Sequence, residues 1–153
     1  MRPPWDQYFI GICKAVATRS HDTDTQVGCV IVDPDHRIIS TGYNGFPPGI
    51  NDALWPADRT AKTMVSAKTV VTKYDVMLHA EINAIVHAGR SLQGCMLYCT
   101  YMPCHPCAMA AIAAGIKKVA YVLKNPRTQE RGSYDITEAL CKEARVALVL
   151  VEE

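Results

Sequence analysis

Residues 79–123 read HAEINAIVHAGRSLQGCMLYCTYMPCHPCAMAAIAAGIKKVAYVL, and this stretch decides the fold. Its apolar spacing predicts a helix over His79 to Ala88, a strand over Cys95 to Thr100, a helix over His105 to Ala114 and a strand over Lys117 to Leu123. Working outward on the C-terminal side, Asp135 to Glu143 reads as a further helix and Ala147 to Val151 as a last strand. That alternation is the βαβ pattern of a mainly parallel sheet covered on its faces by helices. Gly94, Gly115 and Gly132 fall at element boundaries, where helix ends and turns favour glycine.

Outward on the N-terminal side, Trp5, Tyr8, Phe9, Ile12 and Val16 recur at helical steps and mark a first helix that stops near Arg19-Ser20-His21-Asp22. Val27 to Asp33 is β-branched and almost continuously apolar, Pro34 to Arg37 supplies turn residues, and Arg37 to Tyr43 returns as a second strand of a hairpin. From Gly45 to Leu78 periodicity is poor, with Pro47-Pro48-Gly49 and Trp55-Pro56 as breakers, although Thr60 to Thr72 has room for a short helix. A compact domain seldom carries so long an irregular stretch without using it, so 45–78 is read as a functional loop.

A chain of 153 residues is the size of one domain, here 1–153, and with 49% hydrophobic and 20% charged residues it is neither disordered nor fibrous. The formal charge of +1 and 7% aromatic residues offer no basic, stacking-rich surface for a polynucleotide, while a partner with one or a few phosphates suits the chain. No window approaches the roughly 20 apolar residues of a membrane span, and the expectation is a soluble cytoplasmic protein. Seven cysteines without a secretion signal argue for reduced thiols rather than disulfides. Cys13, Cys29, Cys95, Cys99 and Cys141 lie in apolar segments and read as core.

The chemistry sits in two short segments, His79-Ala80-Glu81 and Pro103-Cys104-His105-Pro106-Cys107. This pair resembles the H-x-E and P-C-x-x-C signature of zinc nucleobase deaminases. The physics agrees with the resemblance. Cys104 and Cys107, three apart, share one helical face, and a helix N-terminus stabilises thiolates. His79 completes a Cys2His set that leaves the fourth tetrahedral position to water, as a catalytic zinc requires. Zinc lowers the pKa of such a water from about 15.7 to about 7, and Glu81 beside it is placed to move protons without binding metal. Two plainer readings are a structural zinc staple, with Glu81 only an acidic first-turn residue, and a Cys–His protease, which would leave the metal spacing unused.

Further residues narrow the resemblance: Arg19-Ser20-His21-Asp22, Gln26-Val27-Gly28, Gly42-Tyr43-Asn44-Gly45-Phe46-Pro47 with Gly49, Asp52 and Trp55-Pro56, and Lys73-Tyr74. With them, nearly the whole chain is similar to the deoxycytidylate (dCMP) deaminases of the cytidine-deaminase-like superfamily. The resemblance implies a three-layer α/β/α fold with a mixed, mainly parallel sheet of about five strands. It implies one catalytic Zn²⁺ per subunit and hydrolysis of dCMP to dUMP and ammonia. It places Asn44 at the substrate sugar and Arg19 at the phosphate, and adds Ala80, Pro103 and Arg127 as substrate contacts. It further implies a homo-oligomer, as a hexamer, with dCTP as activator and dTTP as inhibitor near Tyr43, Asn44, Gly45 and Lys73, and Mg²⁺ accompanying a triphosphate effector. One departure stands out: some relatives carry a Tyr-Arg pair after the strand ending at Leu123, where this chain has Lys124-Asn125-Pro126-Arg127. Other substrates within the same chemistry are dCTP, another nucleoside or base, and tRNA adenosine. A zinc-stapled nucleotide sensor without catalysis is the alternative of another class.

Overall fold

The computed structural model describes residues 1–153. Helix α1, Trp5–Ala17, is followed by β1, Gly28–Val32, and β2, Ile38–Tyr43, the hairpin read from the sequence. The helix, strand, helix, strand succession then appears as α3, Ala80–His87; β5, Met96–Tyr101; α4, His105–Ala113; and β6, Lys118–Leu123. Helix α6, Ser133–Glu143, and strand β7, Ala147–Leu150, close the chain.

The loop 45–78 is more regular than its sequence suggests. It holds a 3-10 turn at Asp52–Leu54, a hairpin of β3, Thr63–Ser66, with β4, Thr69–Val71, and a one-turn helix α2, Lys73–Val76. The helix expected within 60–72 is therefore replaced by a hairpin. Thr63, Val65, Thr69, Val70 and Val71 are β-branched and prefer extended backbone. Helix α2 starts at a capping box in which Thr72 and Asp75 bond each other's backbone N–H. A second unforeseen helix, α5, spans Pro126–Glu130, with Asn125 accepting from the Arg127 N–H and Pro126 at the first helical position.

The central sheet runs β2-β1-β5-β6-β7. β1 is antiparallel to both β2 and β5, whereas β5, β6 and β7 are parallel. Successive residues of β1 face opposite sides, so Val30 and Val32 pack with Phe9, Ile10 and Cys13 of α1, while Cys29 and Ile31 pack with Ala80 and Ala84 of α3. All five cysteines read as core are buried. The result is a sheet with α1 on one face and α3 and α4 on the other, α6 lying against α4.

Two glycines set how closely the helices approach. A Cβ at Gly28 would overlap the Cys13 carbonyl of α1, and one at Gly42 would overlap the Ala80 carbonyl of α3. Gly42 thus fixes how near β2 lies to the helix that carries Glu81. No helix is long and apolar enough to cross a membrane.

Candidate active site and metal centre

The site forms where α3 and α4 begin, past the carboxyl end of β5, a common place for ligands in open α/β sheets. His79 is the N-cap residue of α3 and Cys104 that of α4, both with extended backbone that turns the side chain across the helix entrance. The His79 Nδ1 lies 3.4 Å from Cys104 Sγ and 3.3 Å from Cys107 Sγ, and the three donor atoms all fall within 4.8 Å of one another. Zinc with Zn–N near 2.0 Å and Zn–S near 2.3 Å at tetrahedral angles requires N···S separations of about 3.5 Å, so the triangle fits that ion.

The donor chemistry agrees with the geometry. The Cys107 thiol hydrogen-bonds to Cys104 and, with His79, draws the Cys104 pKa well down. The Cys107 thiol is pushed up by its bond to Cys104 and by burial. His79 is raised to about 9 by its bond to Cys104, against the effect of burial. A cation among the three residues would stabilise both sulfurs as thiolates.

Glu81, in the first turn of α3, is 4% exposed. Burial pushes its carboxyl above the usual range, with His79 pulling in the opposite direction. It lines, with His79 and Cys104, a cavity of about 390 Å³. Ala80 lines it too, whereas Pro103 is buried behind it. The segment carrying the cysteines is braced by α6: Thr137 Oγ1 donates to the Pro103 carbonyl at 3.0 Å, and Ser133 Oγ accepts from the His105 N–H at 2.9 Å while also contacting His105 Nδ1. Neither Ser133 nor Thr137 is legible as a site residue from its sequence context.

The cavity is also lined by polar residues. Asn44 is buried and lines the cavity, its Nδ2 donating to the Thr25 carbonyl at 2.9 Å and its Oδ1 accepting from the Val27 N–H at 2.8 Å, which leaves one oxygen lone pair unused. Lys73 is not the free loop cation that its sequence context suggests. Its Nζ donates to both Asp22 oxygens, at 2.9 and 2.7 Å, and to Asp24 at 3.2 Å, with Lys73 and Asp22 each 5% exposed. All three ammonium protons are used within the protein. Tyr43 and Gly45 do not line the cavity: the Tyr43 carbonyl accepts from Asn83 Nδ2, and Gly45 exchanges backbone hydrogen bonds with Leu78.

Arg19 is exposed at the end of α1 and lies outside the cavity lining. The cations that do line it are Arg59, Arg127 and Arg131, besides Lys73. Arg59 is tied to Asp24, its backbone N–H donating at 2.7 Å and its guanidinium Nε lying 3.4 Å from the same carboxylate oxygen. Arg59 and Arg131 were not singled out in the sequence, because isolated arginines in a loop and a short helix carry no motif.

The family model of the cytidine and deoxycytidylate deaminase zinc-binding region matches residues 3–123. The deoxycytidylate deaminase of Mus musculus is 40% identical over 119 residues, a match spanning 77% of this chain and 64% of the mouse protein. The chain thus matches less than two thirds of that relative's length. The deoxycytidylate deaminase of Mycobacterium phage D29 is 39% identical over 123 residues, which cover 78% of this chain and 95% of the phage protein. Among solved structures, the dCMP deaminase of cyanophage S-TIM5 in complex with dCMP and dUMP superposes with a TM-score of 0.73 at 23% identity, covering 99% of both chains, and shares the fold. By sequence match and by the His79, Cys104 and Cys107 triangle at its centre, the chain belongs to the cytidine and deoxycytidylate deaminase family.

Proposed function

We propose that the protein hydrolyses dCMP to dUMP and ammonia at a zinc ion held by His79, Cys104 and Cys107. The observation that carries this reading is the donor triangle with a buried, unliganding carboxyl beside it in a cavity whose far wall bears arginines. The relatives named above as deoxycytidylate deaminases support the substrate. When bound, the ion supplies an acidified water and a Lewis acid at neutral pH.

The chain's own residues do the rest. Glu81 accepts one proton from the attacking water and delivers it to the ring nitrogen, then takes the hydroxyl proton of the C4 adduct and passes it to the leaving amine, so that ammonia departs as the C4 carbonyl forms. Burial, which pushes its carboxyl above the usual range, suits a group that takes and gives protons in turn. The free lone pair of Asn44 accepts from the sugar hydroxyl. Arg127 and Arg131 hold the phosphate, in place of Arg19, because only they present guanidinium forks to the cavity without a carboxylate partner. The network of Asp22, Lys73 and Asn44 keeps this wall in place.

Regulation by dCTP and dTTP in a hexamer belongs to the same reading. Lys62 and Lys68, both exposed in the 45–78 segment, are the loop cations free to meet an effector now that Lys73 is internally paired. Ammonia release from zinc-loaded protein and dCMP tests the activity. A dTTP titration with Mg²⁺ that leaves turnover flat removes the regulation.

A further inference from the structure

Cys104 and Cys107 differ in how their backbones are held. Cys107 lies within α4, whereas Cys104 is the N-cap, with φ −65° and ψ 163°, outside the helical frame. The two peptide groups that flank the Cys104 α-carbon are instead gripped from another element. Thr137 Oγ1 of α6 donates to the Pro103 carbonyl on one side, and Ser133 Oγ accepts from the His105 N–H on the other. Peptide planes are rigid, so pinning both sets φ and ψ of Cys104 and leaves χ1 as the one torsion that moves Sγ.

The grip comes from one face of one helix. Ser133 and Thr137 are four apart, one above the other on α6, and with Tyr134 and Cys141 they form its buried stripe. Such a stripe is ordinarily apolar, and a hydroxyl within it costs stability unless it is hydrogen-bonded. Thr137 is fully buried and Ser133 is 7% exposed. Gly132, the N-cap of α6, has no side chain with which to cap that helix, and the adjacent Ser133 bonds the first N–H of α4 instead. Packing alone would be met by alanine and valine at the two positions. What the hydroxyls add is a fixed backbone on both sides of a metal ligand.

We infer that Ser133 and Thr137 are positioning residues for Cys104, holding its sulfur where the His79 and Cys107 donors converge and thereby setting how tightly zinc is kept. This rests on the zinc reading above. Side chains that orient a metal ligand typically contribute about 10- to 100-fold to metal affinity.

The test is zinc affinity, measured by competition with a chromogenic chelator on wild type, Thr137→Val, Thr137→Ser and Ser133→Ala, beside the thermal midpoint of each protein in zinc-loaded and chelated form. Thr137→Val keeps the volume and removes the hydroxyl, so the Pro103 carbonyl loses its donor. Thr137→Val and Ser133→Ala should each bind zinc roughly tenfold more weakly, and Thr137→Ser should return to within about threefold of wild type. The gap between loaded and chelated midpoints should narrow in the two weakened variants. If Thr137→Val does not fold, Ser133→Ala carries the same comparison. Zinc affinity within about twofold of wild type in the variants that lack a hydroxyl overturns the inference. So do losses of midpoint that are equal with and without zinc, because the hydroxyls then serve the fold alone. Thr137→Ser that binds zinc as weakly as Thr137→Val also overturns it. Wild-type protein that takes up no zinc removes the metal reading itself, and the inference with it.

Discussion

Glu81 is a carboxyl placed where carboxylates are costly, almost wholly out of water and beside two thiols and an imidazole. A structural zinc staple gives no reason for that burial, whereas proton transfer does. Glu81→Gln keeps the shape and the hydrogen-bonding edge but cannot carry a proton. It should retain zinc and fold while turnover falls by about 10²–10⁴, the usual share of a general acid–base. Metal content by atomic spectroscopy and ammonia release measure the two halves; full activity in this variant would dismiss the proton-transfer role. At the same scale, Lys73→Met leaves the Asp22 carboxylate buried without its ammonium. A loss of about 3–5 kcal/mol in denaturant unfolding is expected, the range for breaking one side of a buried ion pair. A loss below about 1 kcal/mol would mean that the pair is effectively solvated.

Elements with strong periodicity were legible, and those that are short or largely exposed were not. Helix α1 begins at Trp5 as its spacing indicates, and α3, α4, β6 and β7 fall within a residue of their expected bounds. The β3–β4 hairpin escaped because its residues are largely exposed and give no alternation toward a core. Helix α5 escaped because five residues are too few for a period, although Asn125-Pro126 is a good helix start. At this scale Gly42 matters most, since it lets β2 lie against the turn of α3 that bears Glu81. Gly42→Ala should lift α3, costing about 1–3 kcal/mol of stability by overpacking and lowering kcat along with it. A variant with wild-type stability and turnover would show that the helix yields freely.

The contact of α1 with the sheet gives a pH dependence whose sign follows from the charges. Burial alone would raise the Asp6 pKa, but the Lys118 ammonium at 2.7 Å and the Tyr98 hydroxyl at 2.8 Å outweigh it and hold it below the usual value. A lowered carboxyl pKa contributes stability above the unfolded value near 3.9, and the contribution is lost as pH falls through the folded value. Because a third of the Asp6 side chain is exposed, the effect should stay below about 1 kcal/mol. Lys118→Met should therefore lower stability at neutral pH by that amount and flatten its fall below about pH 4, where the protonated carboxyl has already lost the contribution, as denaturant unfolding on both sides of that pH would show.

Across the whole molecule the sequence and the structure divide the labour unevenly. The three metal ligands and Glu81 come from two short segments and could be read directly, because metal spacing on helix starts is a local property. Of the arginines lining the cavity only Arg127 was named from the sequence: Arg59, in the 45–78 segment, and Arg131, at the C-cap of α5, carry no motif, and Lys73 is surrounded by acidic partners 51 and 49 residues away. Where the ligands come from α3 and α4, a bound ion cross-links two helices that otherwise meet only through packing. Chelation should lower the thermal midpoint, and Cys104→Ala should bind zinc poorly and lose the difference between metal-loaded and chelated protein. The account turns most directly on one assay, ammonia release by zinc-loaded protein given dCMP alone, against the same protein after chelation. It predicts turnover that chelation abolishes and zinc restores. Zinc bound at His79, Cys104 and Cys107 with no conversion of dCMP would contradict it.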